Sequence, residues 1–307
     1  MLKLPPMPTP RELVRLYRLS AVKELSQNFI LDLNVTDKLA RAAGPLRGST
    51  VIEVGPGPGS LTRSLLTNGA RKVIVVEKDK RFMPALETLQ QASGGRLELV
   101  FGDMLKIDER DLLKNEPKAE NWADESPVRI VGNLPFAVAT ELLLKWLRQI
   151  PEREGPFAHG RASMTLMFQL EVGKRIEARS GTSEYGRLSV MTQQSCTAQT
   201  CFNVPASVFV PPPKVTGTMV RIEPRVTPLA PAPVKELEVV CRQVFGQRRK
   251  MLSNAITTLG EGSLPLIARA GLDPTKRPDA LTVEEWCSLA RAYKEWMDEM
   301  KTSSFNI

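Results

Sequence analysis

From about residue 50 onward, short β-branched and aliphatic runs alternate with longer stretches whose apolar residues recur every three or four positions. The short runs Thr50–Val54, Lys72–Glu77, Leu97–Phe101, Val128–Val131 and Ser163–Phe168 predict strands. Between them, Leu61–Thr67, Lys80–Gln91 and Thr140–Gln149 predict helices with one apolar face. This alternation predicts an α/β fold, a doubly wound and mainly parallel sheet with helices on both faces. Arg187–Gln194 and Val215–Ile222 read as two further strands, an antiparallel addition at the sheet edge. Residues 224–233 hold four prolines and read as a linker. Beyond it, Val234–Phe245, Lys250–Leu259, Ser263–Ala270 and Thr282–Met300 predict helices, with Gly271 and Pro274 closing the third. The expected plan is a basic segment over 1–27, an α/β domain over 28–223, the linker over 224–233 and a small all-helical domain over 234–307.

Composition narrows the partners. Apolar residues make up 42% of the 307, enough for a sizeable core, and no apolar run is long enough to span a bilayer. A formal charge of +8 favours a polyanion, either nucleic acid or an anionic membrane surface. Cys196, Cys201, Cys241 and Cys287 lack metal-ligand spacing, and they suggest neither a zinc site nor a disulfide framework. The single histidine, His159, sits in a polar glycine-flanked stretch and reads as a solvated loop residue. At the N-terminus, Lys3, Arg11, Arg15, Arg18 and Lys23 face one acid, Glu12, with Leu13, Leu16 and Leu19 at helical spacing. That profile suits a mitochondrial import signal. An ordinary helix with a basic face explains it as well, and both readings can hold together.

The chemistry gathers where strands end. Glu53-Val54-Gly55-Pro56-Gly57-Pro58-Gly59 runs from a buried strand into a glycine loop that opens a helix. Its G-x-G-x-G spacing differs from the dinucleotide G-x-G-x-x-G and suits a nucleoside without phosphates equally well. Glu77, ending the next strand, is placed to accept both ribose hydroxyls; Asp103, after the third, to accept an adenine amino group. Any one of these acids reads as a solvated loop residue. In order, with Asn133, they point to S-adenosylmethionine.

Asn133-Leu134-Pro135-Phe136 follows the fourth strand. An exocyclic amine on a nucleobase is a weak nucleophile because its lone pair is delocalised into the ring. The Asn133 side-chain oxygen and a backbone carbonyl at Leu134–Pro135 would hold its protons, while Phe136 clamps the base by stacking. A plain strand-ending turn is the competing reading of the same four residues. Basic residues suggest a second surface. Arg248-Arg249-Lys250 opens a predicted helix; with Arg242, Arg221 and Arg225 it would line one wall of a phosphate-binding groove, unless the run is only a solvated face. Arg187 either joins them or pairs with Glu184.

These motifs together resemble the rRNA adenine N6,N6-dimethyltransferase family, and the resemblance covers about Ser20 to Trp296. It rests on Ser26-Gln27-Asn28-Phe29-Ile30-Leu31, the Glu53–Gly59 loop, Asn133–Phe136, Tyr185–Met191, Phe209–Val215 and Phe245–Lys250. With the basic leader and Pro135-Phe136, the chain is most similar to the mitochondrial branch. The resemblance implies a class I (Rossmann-like) S-adenosylmethionine-dependent methyltransferase sheet with a small C-terminal all-helical, RNA-binding domain. It implies cofactor contacts from Gln27, Asn28, Ile30, Glu53, Gly55, Gly57, Glu77, Lys78, Asp103, Met104 and Asn133. Asn28 and Ile30 would flank the methionine end, Gly55 would lie beneath it, and Lys78 and Met104 would stand beside Glu77 and Asp103. Phe136 and Phe209 would sandwich a flipped adenine, with Phe29 near the methyl group. Arg187, Arg221, Arg248, Arg249 and Lys250 would meet RNA. No metal is required, because a sulfonium is already an activated donor. Ile30 replaces the family's usual leucine, a mild change. Phe136 replaces the tyrosine of bacterial relatives, which keeps the stacking face and excludes a role for the hydroxyl.

The implied partner is mitochondrial small-subunit rRNA within a pre-assembled subunit in the matrix, bound by a monomer. Three rivals differ in class. A DNA adenine methyltransferase commonly carries Asp-Pro-Pro-Tyr in place of Asn-Leu-Pro-Phe. A non-catalytic factor for the mitochondrial transcription machinery would more plausibly have lost the glycine loop, Glu77 or Asn133. An NAD-dependent enzyme fails on loop spacing.

Overall fold

The computed structural model describes residues 4–22 and 27–304. Ser26 of the Ser26–Leu31 motif, together with Lys3 and Lys23 of the basic leader, lies outside them. Nine strands are described: β1 Phe29–Ile30, β2 Thr50–Val54, β3 Lys72–Glu77, β4 Leu97–Phe101, β5 Glu125–Gly132, β6 Arg161–Gln169, β7 Cys196–Val204, β8 Phe209–Val210 and β9 Gly217–Pro224. Seven form one sheet in the order β4-β3-β2-β5-β6-β9-β7. The β2–β3, β3–β4, β2–β5 and β5–β6 pairs are parallel, and β6–β9 is antiparallel. Every residue of β2 is buried, as expected for a central parallel strand, including Thr50 and the acid Glu53. The chain leaves β2 towards β3 and β4, then crosses back to place β5 on the other side of β2. That reversal opens a crevice at the carboxyl ends of β2 and β5, the place where such sheets take ligands. The remaining two strands, β1 and β8, form a small antiparallel ladder pairing Phe29 with Val210 and Ile30 with Phe209.

The described residues divide into two compact units, 1–173 with 199–226, and 174–198 with 227–307. The second unit therefore begins far earlier than residue 234. Arg187–Ser195 is a helix, not the expected strand. The Ser189 hydroxyl accepts the Gly186 N–H at 3.0 Å and donates to the Arg175 carbonyl, fixing the helix start. Its buried positions include Ser189, Thr192, Gln194 and Ser195 as well as Leu188, Val190 and Met191, so polarity does not mark an exposed face. Nor is 224–233 a loose linker. Leu229 N–H donates to the Gln194 carbonyl at 2.9 Å, Gln194 Nε2 donates to the Ala230 carbonyl, and Arg291 donates to the Pro231 carbonyl. Prolines remove donors but keep acceptors, and here the acceptors are used. Phe245 stacks on Trp286 at 4.5 Å and meets Tyr185 edge-on at 5.9 Å, forming the centre of this second unit.

In the first unit, Thr9 caps the helix Pro10–Leu16 through a reciprocal pair with Glu12. Leu13 is fully buried and Leu19 nearly so, whereas Leu16 is 66% exposed; the three leucines do not form one stripe. The turn at Arg18, with φ of 49°, breaks the helical register between Leu16 and Leu19. His159 is also not solvated: it is buried, with Nδ1 2.8 Å from the Pro117 carbonyl. Among the described residues, no helix is long and apolar enough to cross a membrane, and no group of three or more His, Cys, Asp or Glu could hold a metal ion.

Candidate active site

The glycine loop leaves β2 with Gly55, Gly57 and Gly59 all at positive φ. Gly57 shows why: its φ is 53°, and a Cβ there would stand 3.2 Å from the Phe29 ring. Its N–H donates to Glu77 Oε2 at 3.1 Å, while Asp79 N–H donates to Oε1 at 2.8 Å. Glu77 thus ties the loop to the end of β3, and burial raises its pKa against those hydrogen bonds. Across the cleft, Lys78 Nζ lies 2.8 Å from Asp103 Oδ2 and holds that carboxyl below its usual range. Gln27 is committed as well, accepting from Val22 N–H and donating to Asp79 Oδ2 at 2.9 Å. Asp79 is drawn down to about 2, chiefly by its hydrogen bonds from Arg81.

Glu53 differs from the other acids. It is fully buried in β2, and its Oε2 has no hydrogen-bond partner. Burial pushes its pKa up to about 8, with the Thr62 hydroxyl opposing the rise and the Glu77 charge adding to it.

β5 ends at Gly132, and the helix Phe136–Gln149 starts immediately after Pro135. The Asn133 side-chain Nδ2 donates to the Asn28 carbonyl at 3.0 Å, which leaves its oxygen as the free acceptor. The Pro135 carbonyl accepts Val138 and Ala139 N–H, so the expected carbonyl acceptor narrows to Leu134. The Leu134 side chain is buried, only its backbone remaining for a ligand. Phe136 and Phe209 stand 6.3 Å apart with planes at 63°. They touch edge to face, so the expected sandwich is not formed here; a base between parallel rings needs roughly 7 Å between their centroids. Phe29 packs edge-on against Phe82 at 5.2 Å, and the β1–β8 ladder sets Ile30 opposite Phe209.

Three hollows meet around these groups. One, of about 690 Å³ including the solvent at its mouth, is lined by Asn28, Glu53, Gly55, Asn133, Phe136 and Phe209. A second, of about 760 Å³, is lined by Glu77, Lys78, Asp103 and Met104, and it meets the first at Gln27, Gly55, Glu77 and Pro135. The third is an open groove along Pro211–Lys214 that meets the first at Gln27, Asn28 and Phe136. All eleven cofactor positions expected from the sequence line the first two hollows. Sequence reasoning missed Ser60, whose buried hydroxyl also lacks a partner and lines the first hollow. Its place directly after Gly59, at the helix N-terminus, was the available signal. An apolar-walled cleft with an unpartnered carboxylate oxygen, an unpartnered hydroxyl and a glycine floor fits a nucleoside-bearing cation.

The basic residues divide between the two units. Arg221, in the first unit, is bonded to Glu223 at 2.9 Å and lies against Gly44. Arg225 is in the first unit too, whereas Arg187, Arg242, Arg248, Arg249 and Lys250 are in the second. Arg248 donates to the Thr182 and Ser183 carbonyls and to Asp279, so it fastens a turn. Arg249 and Lys250 are exposed, and Arg187 is half-buried at the first position of its helix. The run does not open a helix: it follows a 3-10 turn at Phe245–Gln247, and the next helix starts at Leu252.

A family model described as ribosomal RNA adenine dimethylase matches residues 18–295. The chain belongs to that family. It is accordingly an rRNA adenine dimethyltransferase that uses S-adenosylmethionine. It is 49% identical to the mitochondrial dimethyladenosine transferase 1 of Vermamoeba vermiformis, over 96% of each chain. Identity to the human protein of that name is 43%, over 97% of this chain and 88% of the relative. It is 48% identical to ribosomal RNA small subunit methyltransferase A of Sinorhizobium fredii, over 94% of this chain and 90% of the relative. In fold it resembles a dimethyladenosine transferase from Plasmodium falciparum, with a TM-score of 0.66 at 23% identity, covering 86% of this chain and 96% of that one.

Proposed function

We propose that this family member dimethylates N6 of two adjacent adenines in a 3′-terminal hairpin of mitochondrial small-subunit (12S) rRNA, acting in the mitochondrial matrix on a pre-assembled small subunit and supporting its assembly. The relatives named for mitochondria and for the small subunit, similar over nearly the full chain, support this substrate and compartment. The observation that carries the mechanism is the orientation of Asn133, one of whose N–H groups is spent on Asn28 and whose oxygen is left to accept in the first hollow.

In this reading Glu77 accepts the ribose hydroxyls, and Asp103, with Met104 beside it, receives the adenine amino group. Glu53 meets the methionine ammonium, because it alone among these acids has an oxygen that neither backbone nor cation engages. The bound sulfonium supplies an activated methyl group. Asn133 and the Leu134 carbonyl hold the two amino protons of the target adenine, steering its nitrogen lone pair out of the ring and stabilising the positive charge that develops. Phe136, with Phe209 after its ring turns, holds the base by stacking. Phe29 walls the methyl side and excludes water. Positioning supplies most of the rate, since no covalent intermediate is involved. Arg249, Lys250 and Arg187 contact phosphates and fix the RNA register.

The test is transfer of radiolabel from S-adenosylmethionine to partly assembled small subunits, to the same subunits with the hairpin adenines replaced, and to matching DNA. Label confined to the intact hairpin supports the assignment, and label in DNA or elsewhere in the rRNA overturns it. Asn133→Ala, folded and still cofactor-bound, is expected to lose about 10²–10³-fold in kcat. A normal rate in that variant would remove Asn133 from the mechanism.

A further inference from the structure

The turn that carries Asp103 and Met104 is held from outside. Within the turn, Asp103 Oδ1 accepts Leu105 N–H at 3.1 Å, and the Asp103 carbonyl accepts Lys106 and Ile107 N–H. The carbonyls of Met104 and Ile107 are taken by a single side chain: Lys145 Nζ donates to each at 2.7 Å. Its remaining direction is filled by Glu109 Oε1 at 2.8 Å. Glu109 is fully buried and also accepts from Trp146 Nε1 at 2.9 Å and Gln149 Nε2 at 3.1 Å. All three donors of the ammonium are therefore used, in a fixed geometry.

The position of Lys145 gives this arrangement a function. Lys145, Trp146 and Gln149 lie on the helix whose first residue is Phe136. The element that starts at the target-base motif thus fastens, along its length, the corner at the far hollow. A buried ion pair is by itself a poor source of stability, and an apolar side chain would fill the space at least as well. A lysine here does what an apolar residue cannot: it grips two carbonyls on either side of the corner.

We propose that Lys145 is a positioning residue for the methyl donor, holding the Asp103–Met104 corner where it selects an adenine over a hypoxanthine base. This rests on the reading of Asp103 as the acceptor for the adenine amino group. Hypoxanthine presents a carbonyl oxygen at that position, which a fixed carboxylate repels and a loosened one tolerates.

The experiment compares binding of S-adenosylhomocysteine and S-inosylhomocysteine to the full chain by titration calorimetry, for wild type, Lys145→Met and Lys145→Gln. Wild type is expected to favour the adenosyl ligand by at least about tenfold. Lys145→Met should bring that preference to within about threefold; Lys145→Gln, able to reach one carbonyl, should fall between. With RNA substrate, Lys145→Met should raise KM for S-adenosylmethionine about tenfold and leave kcat within about threefold. An undiminished adenine preference in whichever variant folds would overturn the role of Lys145 and leave the Asp103 reading intact. No preference in wild type would overturn the Asp103 reading and the proposal with it.

Discussion

Replacing Glu53 with glutamine separates a cofactor-binding carboxylate from a merely buried one. At a pKa of about 8, Glu53 is about one-tenth ionised at pH 7 in the ligand-free protein. If it receives the methionine ammonium, binding must first remove its proton. Affinity for S-adenosylhomocysteine should then rise about tenfold between pH 6 and pH 7, with nearly one proton released per ligand bound. The rise should flatten near pH 8, where Glu53 is half ionised and an α-amino group begins to lose its own proton. Calorimetry in two buffers of different ionisation enthalpy counts the proton directly. Glu53→Gln should abolish both the slope and the proton release. The same residue makes an opposite prediction for stability. Its folded pKa lies above the unfolded value, so its contribution is fully present below about pH 4.5 and is lost as pH rises through about 8. For the ligand-free protein the accumulated cost is roughly 3 kcal/mol at pH 7, and Glu53→Gln should regain much of it in denaturant titrations. Flat wild-type affinity from pH 6 to pH 7, or an unchanged slope in the variant, would refute this reasoning.

Four further expectations follow from geometry. Phe136→Leu should lower kcat/KM for RNA by the equivalent of about 1–3 kcal/mol while Phe136→Tyr stays close to wild type, since stacking and not a hydroxyl is at stake; equal losses in steady-state assays would count against it. Gly57→Ala should destabilise by about 1–3 kcal/mol in chemical denaturation and weaken S-adenosylhomocysteine binding, because φ is positive there and Phe29 stands 3.2 Å from the new Cβ. Removing Arg249 and Lys250 together should make the salt dependence of RNA affinity shallower by roughly 1.4 log units per log unit of salt. Arg248→Ala should instead lower the melting temperature, as its bonds hold the Thr182–Ser183 turn.

Much of the central sheet was legible because its strands read as short β-branched and aliphatic runs with few polar interruptions. Thr50–Val54, Lys72–Glu77 and Leu97–Phe101 have the same limits in the structure as in the sequence reading. Where burial surrounds a helix, the reading misleads, as at Arg187–Ser195, whose buried positions are apolar and polar alike. The edge strand β7 was missed for the converse reason: between its buried ends, Cys196 and Val204, it alternates only between half-buried and exposed positions. Among site residues, glycines and strand-end acids were readable because each stands beside a strong local signal. The anchoring of Asn133 on Asn28 and the role of Lys145 were not, since they depend on hydrogen bonds to residues 105 and between 38 and 41 positions away. Which arginine is free and which is spent internally was hidden as well, because a charge looks the same in sequence whether it faces solvent or a carbonyl.

The pairing of residues 29–30 with 209–210 has a consequence for synthesis. The parallel strands β2 to β5 can assemble while the chain is still emerging from its ribosome, but the clasp beside the catalytic crevice waits for Phe209 and Val210. A nascent chain stopped short of them would display the donor-side glycines and acids without the second aromatic wall. Such a fragment should hold the nucleoside weakly and modify nothing.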